Sequence, residues 1–167
     1  MVAPRVALIY YSRTGVTRAL AERLAEALKG SGASVDVYEV RAVREYSKPL
    51  HLNPRLIIDT VFRGGVDVVI NPPGLDWERY DIAILAAPIW FGRVAAPMMG
   101  FLKRHRCPGK PVVCLTTSMA KVEYSWRLAR AAESAGFRVV YHVNVVRGVP
   151  SVEVVEEVMR AVSSTRG

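Results

Sequence analysis

Apolar residues along this chain change period repeatedly, from the unbroken runs of a buried strand to the near-four spacing of a helical stripe, and the two patterns take turns from one end to the other. Arg5 to Tyr11 reads as a strand. Val16, Leu20, Leu24 and Leu28 then fall on one helical stripe that stops at Gly30-Ser31-Gly32. Val35, Val37 and Val40 mark a second strand. Asn53, as an N-cap with Pro54 in the first helical position, opens a helix through Leu56 to Phe62 that ends at Gly64-Gly65. Asp81 to Ala87 is a third strand, of the continuous apolar kind found where both faces of a sheet are covered. Pro97 to Arg106 follows as helix, Pro111 to Thr116 as strand, Glu123 to Ala135 as helix stopped by Gly136, Arg138 to Val145 as strand and Val152 to Val162 as helix.

Strict alternation predicts an α/β fold, because parallel neighbours need a crossover and right-handed crossovers place helices on both faces of the sheet. Five strands make a doubly wound sheet and too few for a closed barrel. The stretch Arg41 to Glu78 is longer than one crossover needs, and Val66 to Ile70 is expected to add a short extra strand. With 167 residues the chain is expected to be one domain over its whole length. A domain of that size buries about 70% of its unfolded surface, so no disulfide or structural metal is required.

Composition narrows the classes. Cys107 and Cys114 have neither a CxxC spacing nor a nearby His pair, which argues against a zinc site or a disulfide framework and points to a reducing cytoplasm. The longest apolar run, Ile82 to Phe91, is far short of the ~20 residues of a membrane span, and no export signal precedes the first strand. Charge is the unusual feature: 23 Lys and Arg against 15 Asp and Glu give +8, and five lysines leave eighteen arginines. Such a balance suits acidic partners. The cations are spread along the chain, however, and the one dense cluster, Lys103 to Arg106, has no interleaved aromatics, so it reads as a solvated helix end and no nucleic-acid partner is expected. The absence of Gln and the arginine excess hint at a heat-adapted source. His51, His105 and His142 lack partners at metal-ligand or triad spacing, Cys114 reads as a small buried hydrophobe, and no nucleophile, general base or metal site stands out.

The chemistry gathers in the turn Ser12-Arg13-Thr14-Gly15-Val16-Thr17, between the first strand and first helix. A hydroxyl-rich turn opening into a helix collects unpaired N–H groups and the positive helix end around one point, which suits a phosphate. Gly15 lets backbone approach the anion, and Ser12, Thr14 and Thr17 can donate hydrogen bonds. Taken alone the turn reads as an ordinary N-capped helix after a strand, and it matches neither a Walker A loop nor GxGxxG.

The longer run Leu8 to Leu24 resembles the flavodoxin signature throughout, with Val16 where many members have Asn. The resemblance implies a sheet order 2-1-3-4-5, with the ends of strands one and three side by side at the switch point, and a loop that holds the phosphate of FMN. A second segment, Ala87 to Met98, resembles the flavin-contacting loop of the flavodoxin-like superfamily, which implicates Pro88, Ile89, Trp90, Phe91 and Gly92. Trp90 or Phe91 offers a flat face and Gly92 a peptide for the flavin, or the two aromatics belong to the core. A third loop, Thr116, Thr117 and Ser118, sits where the family places further ring contacts, with Tyr124 or Trp126 to cover the other face; a plain loop with Trp126 in the core fits equally.

The resemblance therefore implies an FMN protein, either an electron carrier docking an acidic redox protein or a small reductase working on a nicotinamide or a quinone. A binding module on this fold that has lost FMN is the alternative, and self-association is left open. Arg13, Arg18 and Arg93 beside the cofactor loops are expected to favour a negatively charged reduced flavin.

Overall fold

In the computed structural model, which describes residues 2–166, strand β1 (Arg5–Tyr11) sends its side chains alternately to the two faces of one sheet. Ala7, Ile9 and Tyr11 enter one core, while Val6, Leu8 and Tyr10 enter the other. Helices α1 (Val16–Gly30) and α5 (Val152–Ser163) supply Leu20, Leu24, Val158 and Val162 to the second core. Helices α3 (Ala96–Arg104) and α4 (Ser125–Ser134) supply Met98, Phe101, Leu128 and Ala132 to the first. A central strand buried at every position after Arg5 is thus the consequence of helices on both sides.

The parallel strands are β1, β2 (Ser34–Ala42), β4 (Ile82–Trp90), β6 (Pro111–Ser118) and β7 (Arg138–Val146), in the order β2-β1-β4-β6-β7, the expected 2-1-3-4-5 among parallel strands. Two further strands correct the count of five. Strand β3 (Val68–Asn71) is the extra strand anticipated within 66–70, and it pairs antiparallel with the edge strand β2, Ala42 opposite Val68. Strand β5 (Arg93–Val94) folds back on β4, which runs three residues further than the expected end at Ala87.

Between β2 and β3 the chain makes one α-helical turn, α2 (Pro54–Ile57), capped by the Asn53 side chain as the sequence suggested, and then widens into a π-helical segment, Ile58–Arg63, ended by Gly64. Its Asp59 is 1% exposed and accepts a hydrogen bond from the Tyr46 hydroxyl at 2.9 Å. The stripe of α1 holds at Leu20, Leu24 and Leu28, but Val16 is exposed; Thr17 is the residue of the first turn that goes inside. Helix α4 ends before Gly136, as expected, with the Phe137 N–H returning to the Ala132 carbonyl. No helix among the described residues is long and apolar enough to cross a membrane.

Candidate functional site

Three loops meet at the C-terminal ends of β1, β4 and β6, which the parallel register brings side by side: Tyr10 lies opposite Ala86, and Pro88 opposite Thr117. In the first loop Gly15 takes φ 96° as the residue before α1, a left-handed conformation that a side chain would strain, and no neighbour stands within 4 Å of where a Cβ would be. No side chain caps the helix, so its first N–H groups have no side-chain partner. The Ser12 hydroxyl accepts the Gly15 N–H at 3.1 Å and keeps its own proton to donate, and Thr14 is exposed at the tip. An open backbone turn with free hydroxyl donors is an arrangement that could receive an anion.

Arg13 is turned elsewhere. Its Nε donates to the Tyr46 carbonyl at 2.8 Å and lies 3.8 Å from the Glu45 carboxylate, which fastens the first loop to the segment after β2. Arg18 pairs with Glu39 at 2.7 Å and reaches the Tyr10 hydroxyl. Two of the three arginines expected to act as bare charges at the cofactor are therefore paired with carboxylates that the sequence reading had not placed there; the third, Arg93, has no such partner among the described residues.

The second segment is a hairpin. Trp90 pairs with Arg93, and Phe91 (φ 51°) and Gly92 (φ 72°) form its two-residue turn with both φ positive, the type I′ geometry that suits the twist of antiparallel strands. Phenylalanine in that conformation is strained, and its ring is 51% exposed. Trp90 is half-buried, edge-on to Tyr11 at 5.5 Å and to Tyr46 at 5.4 Å between ring centroids. Of the two aromatics that the sequence could not tell apart, Phe91 is the one presented at the tip and Trp90 the one that anchors the hairpin to the core. The Pro88 carbonyl accepts the Ala95 N–H at 3.0 Å, and Ile89 pairs with Val94, so both hold the base of the hairpin.

In the third loop the threonines divide by face. Thr116, expected as a flavin contact, is fully buried and donates to Asn144 Oδ1 at 2.9 Å on β7, so its hydroxyl is engaged across the sheet. Thr117 faces α1, and its hydroxyl lies 2.8 Å from that of Thr17. One proton lies between the two oxygens, so the pair ties α1 to β6. Ser118 donates to the Ala120 carbonyl and receives Asn144 Nδ2. Tyr124 is half-buried, with its ring edge 3.9 Å from the position a Cβ would take on Gly92, so the second and third loops touch. Trp126 is 45% exposed and lies outside the core, contrary to the alternative that placed it inside.

Sequence reasoning missed two groups. Tyr46, Glu45 and the carboxylate of Asp59 form the floor under Arg13 and Trp90, and burial together with Glu45 for Tyr11, or with Asp59 for Tyr46, raises both phenols well above the ordinary tyrosine range. His142 Nδ1 lies 2.7 Å from the Ser125 hydroxyl, which also donates to Glu123. With the hydroxyl buried in the middle, that chain secures the start of α4 and does not make a nucleophile. Among the described residues no cluster of His, Cys, Asp or Glu could hold a metal ion.

A doubly wound sheet with an open glycine turn and an aromatic hairpin at its switch point is the architecture of a flavodoxin-like protein. Residues 4–152 match the NADPH-dependent FMN reductase family, and the chain belongs to it. FMN, the flavin of that family, is the cofactor the sequence reading named. The chain is 33% identical over 102 residues to an NAD(P)H dehydrogenase (quinone) of Azorhizobium caulinodans and 32% over 103 residues to one of Cupriavidus metallidurans. These alignments take in 59% of this chain and 45% of each relative, so it spans under half the length of the curated relatives it matches. A Lactobacillus acidophilus flavoprotein in complex with FMN shares the fold with a TM-score of 0.71 at 18% identity, covering 85% of this chain and 93% of that one. An archaeal flavodoxin does so with 0.60 at 12% identity, covering 98% and 99%.

Proposed function

We propose that the chain is an FMN-dependent reductase of the cytoplasm that takes hydride from a nicotinamide dinucleotide and delivers electrons to a small acceptor of the quinone class. The observation that carries the reading is the convergence of the open Gly15 turn with the strained Phe91-Gly92 hairpin at one end of the sheet. Bound FMN supplies the redox chemistry, accepting a hydride and giving up electrons. The protein's part is to hold and screen it. The first-turn N–H groups of α1 with the Ser12 and Thr14 hydroxyls receive the terminal phosphate, the Phe91 ring and Gly92 peptide border the ring site, and Tyr124 closes its side. Neither loop offers a general acid or base, so the part of these residues is to bind and orient the cofactor. Family membership supports a reductase over a module that has lost FMN, and the names of the curated relatives support the substrate classes.

The test is anaerobic. Apo protein titrated with FMN and then with NADPH should take up FMN well ahead of riboflavin, lose the visible flavin band on NADPH addition and regain it with a soluble quinone. Failure to bind FMN, or a loaded protein that neither NADPH nor NADH bleaches, would overturn the reading.

A further inference from the structure

Half of the eighteen arginines have a carboxylate within ion-pair distance. Among those without one in the described residues, Arg93, Arg127 and Arg130 converge on a single cavity of about 390 Å³ between β5, α3 and α4. No carboxylate of the described residues lines it. A neighbouring hollow of about 180 Å³ shares Met99, Ala131 and Ser134 with it and adds Lys103 and Arg106, so one trough carries five cations. The larger cavity of about 490 Å³ beside the π-helical segment provides the contrast, since there Asp59 and Asp67 answer Arg55, Arg63 and Arg104. Like charges gathered without a counter-charge on a concave surface call for an anion from outside.

Two further features say what kind of anion. Trp126 stands 45% exposed on the wall, with the Arg127 guanidinium 4.6 Å above its ring, an arrangement suited to stacking a planar base. Thr60, 4% exposed, also lines the cavity, and its hydroxyl has no partner among the described residues although buried hydroxyls are ordinarily paired. Guanidinium groups, a free hydroxyl and an aromatic wall together match a phosphorylated nucleoside. The trough also adjoins the flavin loops: Arg93 is the hairpin partner of Trp90, and Trp126 lies two residues beyond Tyr124.

We propose that this trough takes the phosphorylated adenosine end of the nicotinamide dinucleotide, with Arg127 and Arg130 on the 2′-phosphate and Trp126 against the base. The assignment rests on the reading of the flavin site as a nicotinamide-using reductase. The probe is adenosine 2′,5′-bisphosphate, followed by tryptophan fluorescence of the FMN-loaded protein and by competition in turnover. The expected result is saturable quenching that Trp126→Phe removes, a dissociation constant at least tenfold weaker in Arg127→Ala/Arg130→Ala, an unchanged FMN affinity in that variant, and a tenfold rise in its KM for NADPH with little change for NADH. Competition with NADPH assigns the trough to the dinucleotide itself, whereas binding without competition indicates a free nucleotide and overturns the proposal. Equal quenching by inorganic phosphate or displacement by a polyglutamate peptide would also overturn it, in favour of an unselective patch or an acidic protein. NADPH oxidation without bisphosphate binding refutes the trough and leaves the reductase reading intact. Binding to a protein whose flavin NADPH never bleaches refutes the reductase reading and keeps a nucleotide site.

Discussion

Thr17 and Thr117 offer the sharpest test of how the site is held together. They are 1% and 3% exposed, and their hydroxyl oxygens lie 2.8 Å apart, joining the first turn of α1 to the end of β6. Thr17→Val keeps the shape and removes one partner, leaving a buried Thr117 hydroxyl alone, which costs about 1 to 3 kcal/mol. Removing both hydroxyls in Thr17→Val/Thr117→Val exchanges a hydrogen-bonded pair for two methyl groups and should be nearly neutral. With Thr117→Val stranding the Thr17 hydroxyl at a similar cost, and the double variant near zero, the double-mutant cycle should therefore return a coupling energy of about 2 to 6 kcal/mol in magnitude. For a chain this long each kcal/mol moves Tm by about 2 to 4 °C, so a loss of about 2 kcal/mol places Thr17→Val about 4 to 8 °C below the parent, with the double variant largely restored. Thermal and urea unfolding of the apo protein measure it. Single variants that unfold with the parent, or a double variant equal to the sum of the singles, would refute the claim that the pair is a buried tie. A double variant that keeps its stability but loses FMN affinity would instead assign the hydroxyls to the ligand.

Three further outcomes follow from the same geometry. Thr14→Glu, at an exposed position, should leave stability within about 0.5 kcal/mol; a carboxylate about 5 Å from the FMN phosphate opposes it by about 3 kcal/mol at an effective dielectric near 20, so FMN affinity should fall at least about hundredfold and riboflavin affinity should not. Phe91→Ala should weaken FMN about two- to tenfold, the worth of one aromatic contact, whereas Trp90→Ala, by emptying the space between Tyr11 and Tyr46, should cost the apo fold about 3 kcal/mol in denaturation. Burial raises the phenols of Tyr11, Tyr46 and Tyr80 far above 10.0, with Glu45, Asp59, and Tyr38 with Asp36 adding to it respectively; a folded value above the unfolded one means their stabilisation is complete below about pH 10 and is lost as pH rises beyond it, so spectrophotometric titration should show three of the seven tyrosines ionising only as the chain unfolds.

The order of the parallel strands was legible because a strand buried on both faces and a helix buried on one leave different apolar periods, and β1, β4 and β6 are unambiguous in that respect. The stretch 41–78 resisted the same treatment. Its order comes from polar tertiary contacts, Tyr46 on Asp59 and Arg13 on the Tyr46 carbonyl, and a buried carboxylate on a π-helical segment leaves no apolar rhythm to read. The hairpin was hidden for a different reason. Pairing of Ile89 with Val94 is set by a turn in which a phenylalanine adopts positive φ, against its own preference, so the local signal pointed to a strand ending and a loop beginning. In the third loop, the spacing of Thr116 and Thr117 gave the right place but not the faces, and alternation along β6 sends the first toward Asn144 and the second toward Thr17.

Charge shows how such a reading changes once partners are visible. A bare cation about 10 to 12 Å from the flavin contributes about 1 to 2 kcal/mol at an effective dielectric near 20, but Arg18 at 2.7 Å from Glu39, and Arg13 beside Glu45, present dipoles whose fields fall off far more steeply. At the proposed FMN site this pairing leaves the holding to backbone N–H groups, and three of the nine guanidinium groups without a carboxylate partner among the described residues, Arg93, Arg127 and Arg130, stand together on one cavity of the trough instead. Added salt should then act on the two ligands unequally. With the screening length near 10 Å at about 0.1 M and shorter above it, exposed arginines lose their pull, so KM for NADPH should rise with ionic strength while retention of FMN on dialysis stays constant. An FMN affinity that falls as steeply as the NADPH dependence would place the working charge at the proposed FMN site after all, and would mean that Arg13 and Arg18 release their carboxylates when flavin binds.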